Sequence, residues 1–252
     1  MFKRRVIIFA LMISSLKMTI AQENSEVFQE GIQKIQSSID HWNFREMLES
    51  RAYFERLLTK QKPTWLVNYY IAYCDYRLGI YLLQDDNKKD AKDYIIEGLN
   101  LLSKAVEEKP DFVDAYALMN SLIGNKISLM PISGMWNGPK AQKYITKAMQ
   151  LEPENPRVFL IDGISKNFTP ENFGGGKEAA GKSLLRAAEL YKIDQPAPDM
   201  PSWGYDEVFA WLGIIDLSKG DKIAAMENFR KALKINPENS WVKEVLMKNI
   251  EE

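Results

Sequence analysis

Residues 211–237, WLGIIDLSKGDKIAAMENFRKALKINP, contain two amphipathic helical stretches joined at Lys219-Gly220-Asp221 and stopped by Pro237. Apolar or small residues stand at Leu212, Gly213, Ala225, Phe229 and Ala232. That spacing puts one stripe on each stretch and lets the two stripes close on each other. A helix pair of this size cannot bury its own faces fully, so it needs neighbours of the same kind stacked on it. The pattern does recur upstream.

Prolines mark the recurrence. Pro63, Pro110, Pro153, Pro196 and Pro237 lie 47, 43, 43 and 41 residues apart, and proline ends a helix because it lacks the N–H and its ring blocks the preceding turn. Six residues after three of these stops comes a ring, Tyr69, Tyr116 and Phe159, a slot that Phe209 takes in the last unit. Ala105, Ala148 and Ala232 each stand five residues before a proline, and Ala187 matches them across a longer loop. Small residues at such positions let helices approach closely.

Phe209, Leu212, Gly213, Ala225, Phe229, Ala232 and Pro237 together resemble the tetratricopeptide repeat, over roughly Trp65 to Ile250 and most closely over 205–238. The resemblance implies an all-α fold, a right-handed α-solenoid of about five helix-turn-helix repeats running from about Ser25 to Ile235. A capping helix at 240–250 follows, with Trp241, Val245 and Leu246 toward the last repeat. Two departures stand out. The small residue expected in mid first helix is present as Gly163 and Gly213, whereas Tyr73 and Asn120 occupy that slot earlier, so the early repeats should be splayed or shifted. The spacing also exceeds the 34 residues of a standard repeat, which predicts long helices near Thr64–Leu83 and Lys88–Glu108.

At 252 residues and 46% hydrophobic content the chain can bury one continuous core, and no Ser/Pro/Gly-rich linker divides it. Residues 1–21 read as a secretory leader: Lys3, Arg4 and Arg5, an apolar run from Val6 to Leu16, and small residues before a cleavage site after Ala21. The run is short for a membrane span, so the expectation is a secreted or periplasmic protein comprising residues 22–252; the alternative is an uncleaved anchor. Cleavage leaves 29 Lys+Arg against 34 Asp+Glu, a net charge of −5, which argues against nucleic acid as a partner. Cys74 is the single cysteine and cannot form an internal disulfide; it reads as a buried structural thiol. Asn167-Phe168-Thr169 is a glycosylation sequon if the source is eukaryotic.

Gly176–Ser183, GKEAAGKS, satisfies the G-x-x-x-x-G-K-S spacing of a phosphate-binding loop. That loop works between a buried strand and a helix N-terminus, yet Thr169–Gly175 supplies turn formers and no apolar strand. Trp136–Lys140 and Phe173–Lys177 read instead as the same device used twice, an aromatic and small residues turning into a second helix. A nucleotide hydrolase thus stays a remote alternative. One histidine, His41, offers no multi-histidine metal site and no credible triad, and it reads as a turn residue between the first two helices. No catalytic residue, metal ligand or cofactor is expected.

What the resemblance implies is a binding surface. Its concave wall, carried onto this register, consists of Tyr70, Arg77, Asp114, Ser121, Asn125, Arg157, Asn167 and Glu207, mixed polar residues suited to a peptide or protein segment. Trp136 and Phe173 form a second, rim-side surface at the two aromatic turns. The expected function is a non-enzymatic interaction scaffold or adaptor of the envelope or secretory compartment. The alternative is a small-molecule-binding component of an envelope transport system, favoured if the solenoid encloses an apolar space rather than an open polar groove.

Overall fold

Each proline stop separates one helix pair from the next. The computed structural model describes residues 25–59 and 63–251; the leader expected at 1–21 lies outside them. Helices occupy residues 25–40 (α1), Phe44–Leu57 (α2), Thr64–Gln84 (α3), Lys88–Glu108 (α4), Val113–Leu129 (α5), Gly134–Leu151 (α6), Pro156–Phe168 (α7), Lys177–Tyr191 (α8), Tyr205–Ser218 (α9) and Lys222–Ile235 (α10). Short 3₁₀ turns at Pro131–Ser133 and Glu171–Phe173 precede α6 and α8. The main contacts join α3 to α4, α5 to α6, α7 to α8 and α9 to α10, then α2 to α3, α4 to α5 and α8 to α9, while α7 packs on the preceding pair chiefly through α5. This is the five-pair solenoid the period predicts, and α3 and α4 are the long helices, 21 residues each.

Local chemistry sets the ends. Asn43 accepts from the N–H groups of Arg45 and Glu46, and Asp221 from that of Ala224 at 2.9 Å, so both cap orphan donors at helix starts. Asn155 caps α7 with Pro156 following at the first position, where a missing N–H costs nothing. Ala105, Ala148, Ala187 and Ala232 are fully buried, each where its helix meets a neighbour.

The small-residue slot explains how the pairs close. A Cβ on Gly163 would fall 2.6 Å from Leu184 Cγ, and one on Gly213 2.3 Å from Phe229 Cε1, so only glycine admits these approaches. In the first pair Gly31 does the same against Phe54. In α3/α4 the close approach has moved to the second helix, where Gly98 lies against Asp75 and Leu122, and Tyr73 is turned to the inner wall. Asn120 keeps its slot by donating from Nδ2 to the carbonyl of Ala141 on α6 at 3.0 Å.

Two expectations are corrected. Trp136–Lys140 is no turn: it lies inside α6, with Pro139 in the first turns of the helix, and the bend comes earlier, at Met130–Ser133. Only Phe173 sits before a glycine turn, with Gly174 at φ 81° and Gly176 at φ 93°. At the C-terminus, a π-helical stretch Trp241–Met247 runs into Lys248–Glu251. Its wider spacing buries Val242, packs Trp241 and Leu246 beside it, and leaves Val245 largely exposed.

Candidate binding site

The inner wall of the solenoid is occupied by the chain itself. After α8 the segment 192–204, KIDQPAPDMPSWG, carries no helical periodicity and instead runs along the first helices. Trp203 stacks on Tyr73 at 4.9 Å and its indole N–H donates to the Tyr69 hydroxyl at 3.0 Å. Tyr70 donates to the Asp199 carbonyl at 2.7 Å, Ser25 of α1 donates to the Asp199 carboxylate, and Gln29 reaches the Pro198 carbonyl. Three prolines and a tryptophan lower the entropy of ordering this segment and supply rings to bury.

Six of the eight wall residues are thereby buried: Tyr70, Arg77, Asp114, Ser121, Arg157 and Glu207. The Arg77 guanidinium grips the Glu207 carboxylate through both terminal nitrogens and donates from Nη2 to the Tyr73 hydroxyl at 2.6 Å. Burial opposes the charge on Arg77, but Glu207 and Tyr73 outweigh it and hold its pKa well above the ordinary value. Arg157 donates to Asp114 and to Asp194 of the linker, each at 2.6 Å. Here too burial opposes the charge, and Asp114 first among the partners raises the pKa. Burial likewise pushes the phenols of Tyr69, Tyr70 and Tyr73 well up. Ser121 packs beside Tyr76. The open polar groove expected for a peptide is therefore filled, because the one aperiodic stretch of sequence folds into it.

Asn125 and Asn167 are different. They are half-buried, and Asn125 Nδ2 and Asn167 Oδ1 have no hydrogen-bond partner. Asn125 stands eleven residues beyond Asp114 and Asn167 ten beyond Arg157, which puts both about 15 Å along their helices from that ion pair. They share one level near the C-terminal ends of α5 and α7. A series of rings runs from α7 through α9 and the C-terminal stretch to the α1–α2 turn. Phe168 meets Trp211 of α9 at 5.8 Å, Trp211 meets Trp241 at 6.1 Å, and Trp241 stacks on Trp42 at 5.8 Å and 13°. Trp42 in turn packs edge-on against Tyr81 at 4.6 Å. Periodicity gave no sign of this ladder, since its rings come from separate segments.

The remaining candidates resolve simply. Lys182 lies inside α8, exposed and paired with Glu178 at 2.7 Å, and Ser183 faces α7, donating to Asp162 at 2.5 Å while Lys166 holds the same carboxylate. Helical backbone here cannot wrap a phosphate, so GKEAAGKS is not a nucleotide loop. Cys74 is buried, and burial raises its thiol pKa well above the ordinary value. His41 sits in the α1–α2 turn, 3.2 Å from Glu46. Trp136 and Phe173 are exposed, 59% and 76%, on the edge where first helices turn into second ones.

No protein-family model matches the chain, and no curated protein matches it in sequence. Among solved structures it is similar to the HusA haemophore from Porphyromonas gingivalis, with a TM-score of 0.65 and 22% identity over 77% of this chain and 92% of that one. It is also similar to TTC0263, a thermophilic tetratricopeptide-repeat protein from Thermus thermophilus, with a TM-score of 0.57 and 16% identity over 87% of this chain and 95% of that one. The fold is that of a tetratricopeptide-repeat solenoid. Within the tetratricopeptide-repeat architecture this chain commits its concave wall to internal ion pairs and leaves an aromatic ladder at one end.

Proposed function

We propose that this chain is a non-enzymatic binding protein of the envelope or secretory compartment that takes a flat, largely apolar ligand against the ladder of Phe168, Trp211, Trp241 and Trp42. The observation that carries this reading is the ladder itself, four rings in series from separate segments with Phe168 exposed at its end. The likeness to a protein named as a haemophore supports a porphyrin-type macrocycle as the ligand class. Lys3–Arg5, the apolar run Val6–Leu16 and Ala21 support the location.

Titration with protoporphyrin IX tests the idea, because a macrocycle stacked on the ladder quenches nearby indoles. Saturable quenching that weakens at least about fivefold in Trp211→Ser is expected, the loss of one stacking partner being worth roughly 1–3 kcal/mol. Quenching that never saturates, or that survives Trp211→Ser and Trp241→Ser unchanged, would refute it.

The tetratricopeptide-repeat architecture itself favours a second reading, an adaptor for a protein or peptide partner. Crosslinking in the native envelope decides between them. A single protein joined through Lys126 or Lys166, near Asn125 and Asn167, would support the adaptor.

A further inference from the structure

Four exposed large apolar groups gather where α5 turns into α6. Met130, Ile132, Met135 and Trp136 are all exposed, Met135 at 74%, and they follow one another within seven residues. Folding has left four large apolar side chains in water at one edge. A soluble monomer rarely tolerates such a cluster without a use.

Charge sharpens the point. Between Asp114 and Glu152 the sequence contains no acidic residue and four lysines, Lys126, Lys140, Lys143 and Lys147, in a chain whose overall balance is −1. Lys147 is engaged with Tyr116, its Nζ 2.6 Å from the hydroxyl. Lys126, Lys140 and Lys143 make no ion pair among the described residues, and Lys140 and Lys143 are exposed on α6 next to Trp136. Some exposed lysines elsewhere do have an acidic partner, as Lys182 has Glu178, Lys192 has Glu189 and Lys88 has Asp86, so what sets this edge apart is its lack of acids. In the next hairpin Phe173 is also exposed, but there Glu171 and Glu178 flank it.

An apolar tip flanked by unpaired lysines is complementary to a surface that is apolar within and anionic at its boundary. We propose that the α5–α6 edge docks on an anionic lipid bilayer, with Met130, Ile132, Met135 and Trp136 entering the headgroup boundary and Lys126, Lys140 and Lys143 resting on its phosphates. Tryptophan prefers that boundary because its ring is apolar and its N–H polar. Methionine side chains conform to disordered chains, and lysine stems lie along apolar surface while the ammonium stays at phosphate level. No helix among the described residues is long and apolar enough to cross a membrane, so this is a contact on the surface. The edge is distinct from the aromatic ladder, and the proposal holds whichever partner the ladder takes.

An environment-sensitive fluorophore on Met135→Cys of the full chain tests the contact directly, since the other thiol, Cys74, is buried. Because the probe reports its own position, membrane association of residues 1–21 does not mimic the signal. With vesicles of phosphatidylglycerol and phosphatidylcholine, the emission should shift to the blue. With phosphatidylcholine alone it should stay near the aqueous value. Reversing Lys140 and Lys143 together to Glu should weaken the response at least about tenfold, and salt should weaken it in the unreversed protein. A fluorophore on Lys231→Cys, exposed on α10, should remain aqueous throughout. No shift at position 135 with anionic vesicles, an equal shift at position 231, or a shift indifferent to lysine reversal would each overturn the proposal. A shift produced only by an envelope protein fraction would make the edge a protein interface and overturn it equally.

Discussion

Arg77 on α3 and Glu207 on α9 lie 130 residues apart and form a two-pronged ion pair in the interior, with both side chains almost wholly buried. Three repeats separate them along the chain, so their contact crosses the inner wall and ties the early repeats to the late ones. Removing one partner leaves the other charged and dry. Glu207→Ala should cost about 3–5 kcal/mol in a urea unfolding titration, while replacing the pair by Met and Leu together should recover most of it. Equal costs for the single and double variants would mean that the pair is bathed in water and ties nothing.

Gly213 and Gly181 make opposite predictions with the same substitution. Gly213→Ala drives a methyl into Phe229 and should destabilise by about 1–3 kcal/mol. Around Gly181, within α8, a Cβ meets nothing within 4 Å, so Gly181→Ala should stabilise by about 1 kcal/mol on helix propensity alone. Thermal denaturation of the two variants reads both signs. Because Gly181 and Lys182 are helical surface, adding Lys182→Ala should change neither the stability beyond a few tenths of a kcal/mol nor any affinity for ATP.

Asp75 gives the fold a pH dependence. Its carboxylate is buried on α3, and burial pushes its pKa to about 7 despite the bond from Arg51 to Oδ1; Oδ2 has no partner. An acid raised in the folded state holds its proton more tightly there than in the unfolded chain, whose value is about 3.9. Its contribution is therefore full below about pH 4 and is lost as pH rises toward 7, by up to about 4 kcal/mol. Asp75→Asn should flatten that decline without stranding Arg51, which is partly exposed and keeps Glu55 as a partner. Melting temperatures of the two proteins from pH 4.5 to 8 check this; parallel curves would assign the dependence elsewhere.

The features that sequence made legible were the ones with a period or a fixed stereochemical cost. Prolines at 41–47 residue spacing, the buried alanines before them, and Gly163 and Gly213 at the tight approaches all follow from helix geometry. Arg77, Asp114, Arg157 and Glu207, read from the sequence as an open wall, are buried in ion pairs. The segment that covers them was hidden, because residues 192–204 have no period and their contacts with Tyr69, Tyr70 and Tyr73 are more than a hundred residues distant. Trp136 was misplaced because Gly138-Pro139 reads locally as a turn, whereas Pro139 stands inside α6. Val245 was expected toward the last repeat, but the π-helical stretch buries Val242 there.

Trp42 and Trp241 join the two ends of the chain, and the join carries strain. Trp42 has φ 51°, the left-handed region that costs a bulky residue of order 1–3 kcal/mol, and its rings against Trp241 and Tyr81 offset that cost. Asn236, donating to both Asp40 and Asp206, braces the same junction. Trp42→Ala and Trp42→Gly lose the same ring contacts, but glycine accepts positive φ freely. Trp42→Gly should therefore be the milder change by about 1 kcal/mol, the reverse of the order in an ordinary helix. A double-mutant cycle of Trp42→Ala with Trp241→Ala should return a coupling of about 0.5–1.5 kcal/mol for the stacked pair. If alanine proves as good as glycine at position 42, the junction relaxes in solution; if the coupling is also zero, the ends of the solenoid are not joined there.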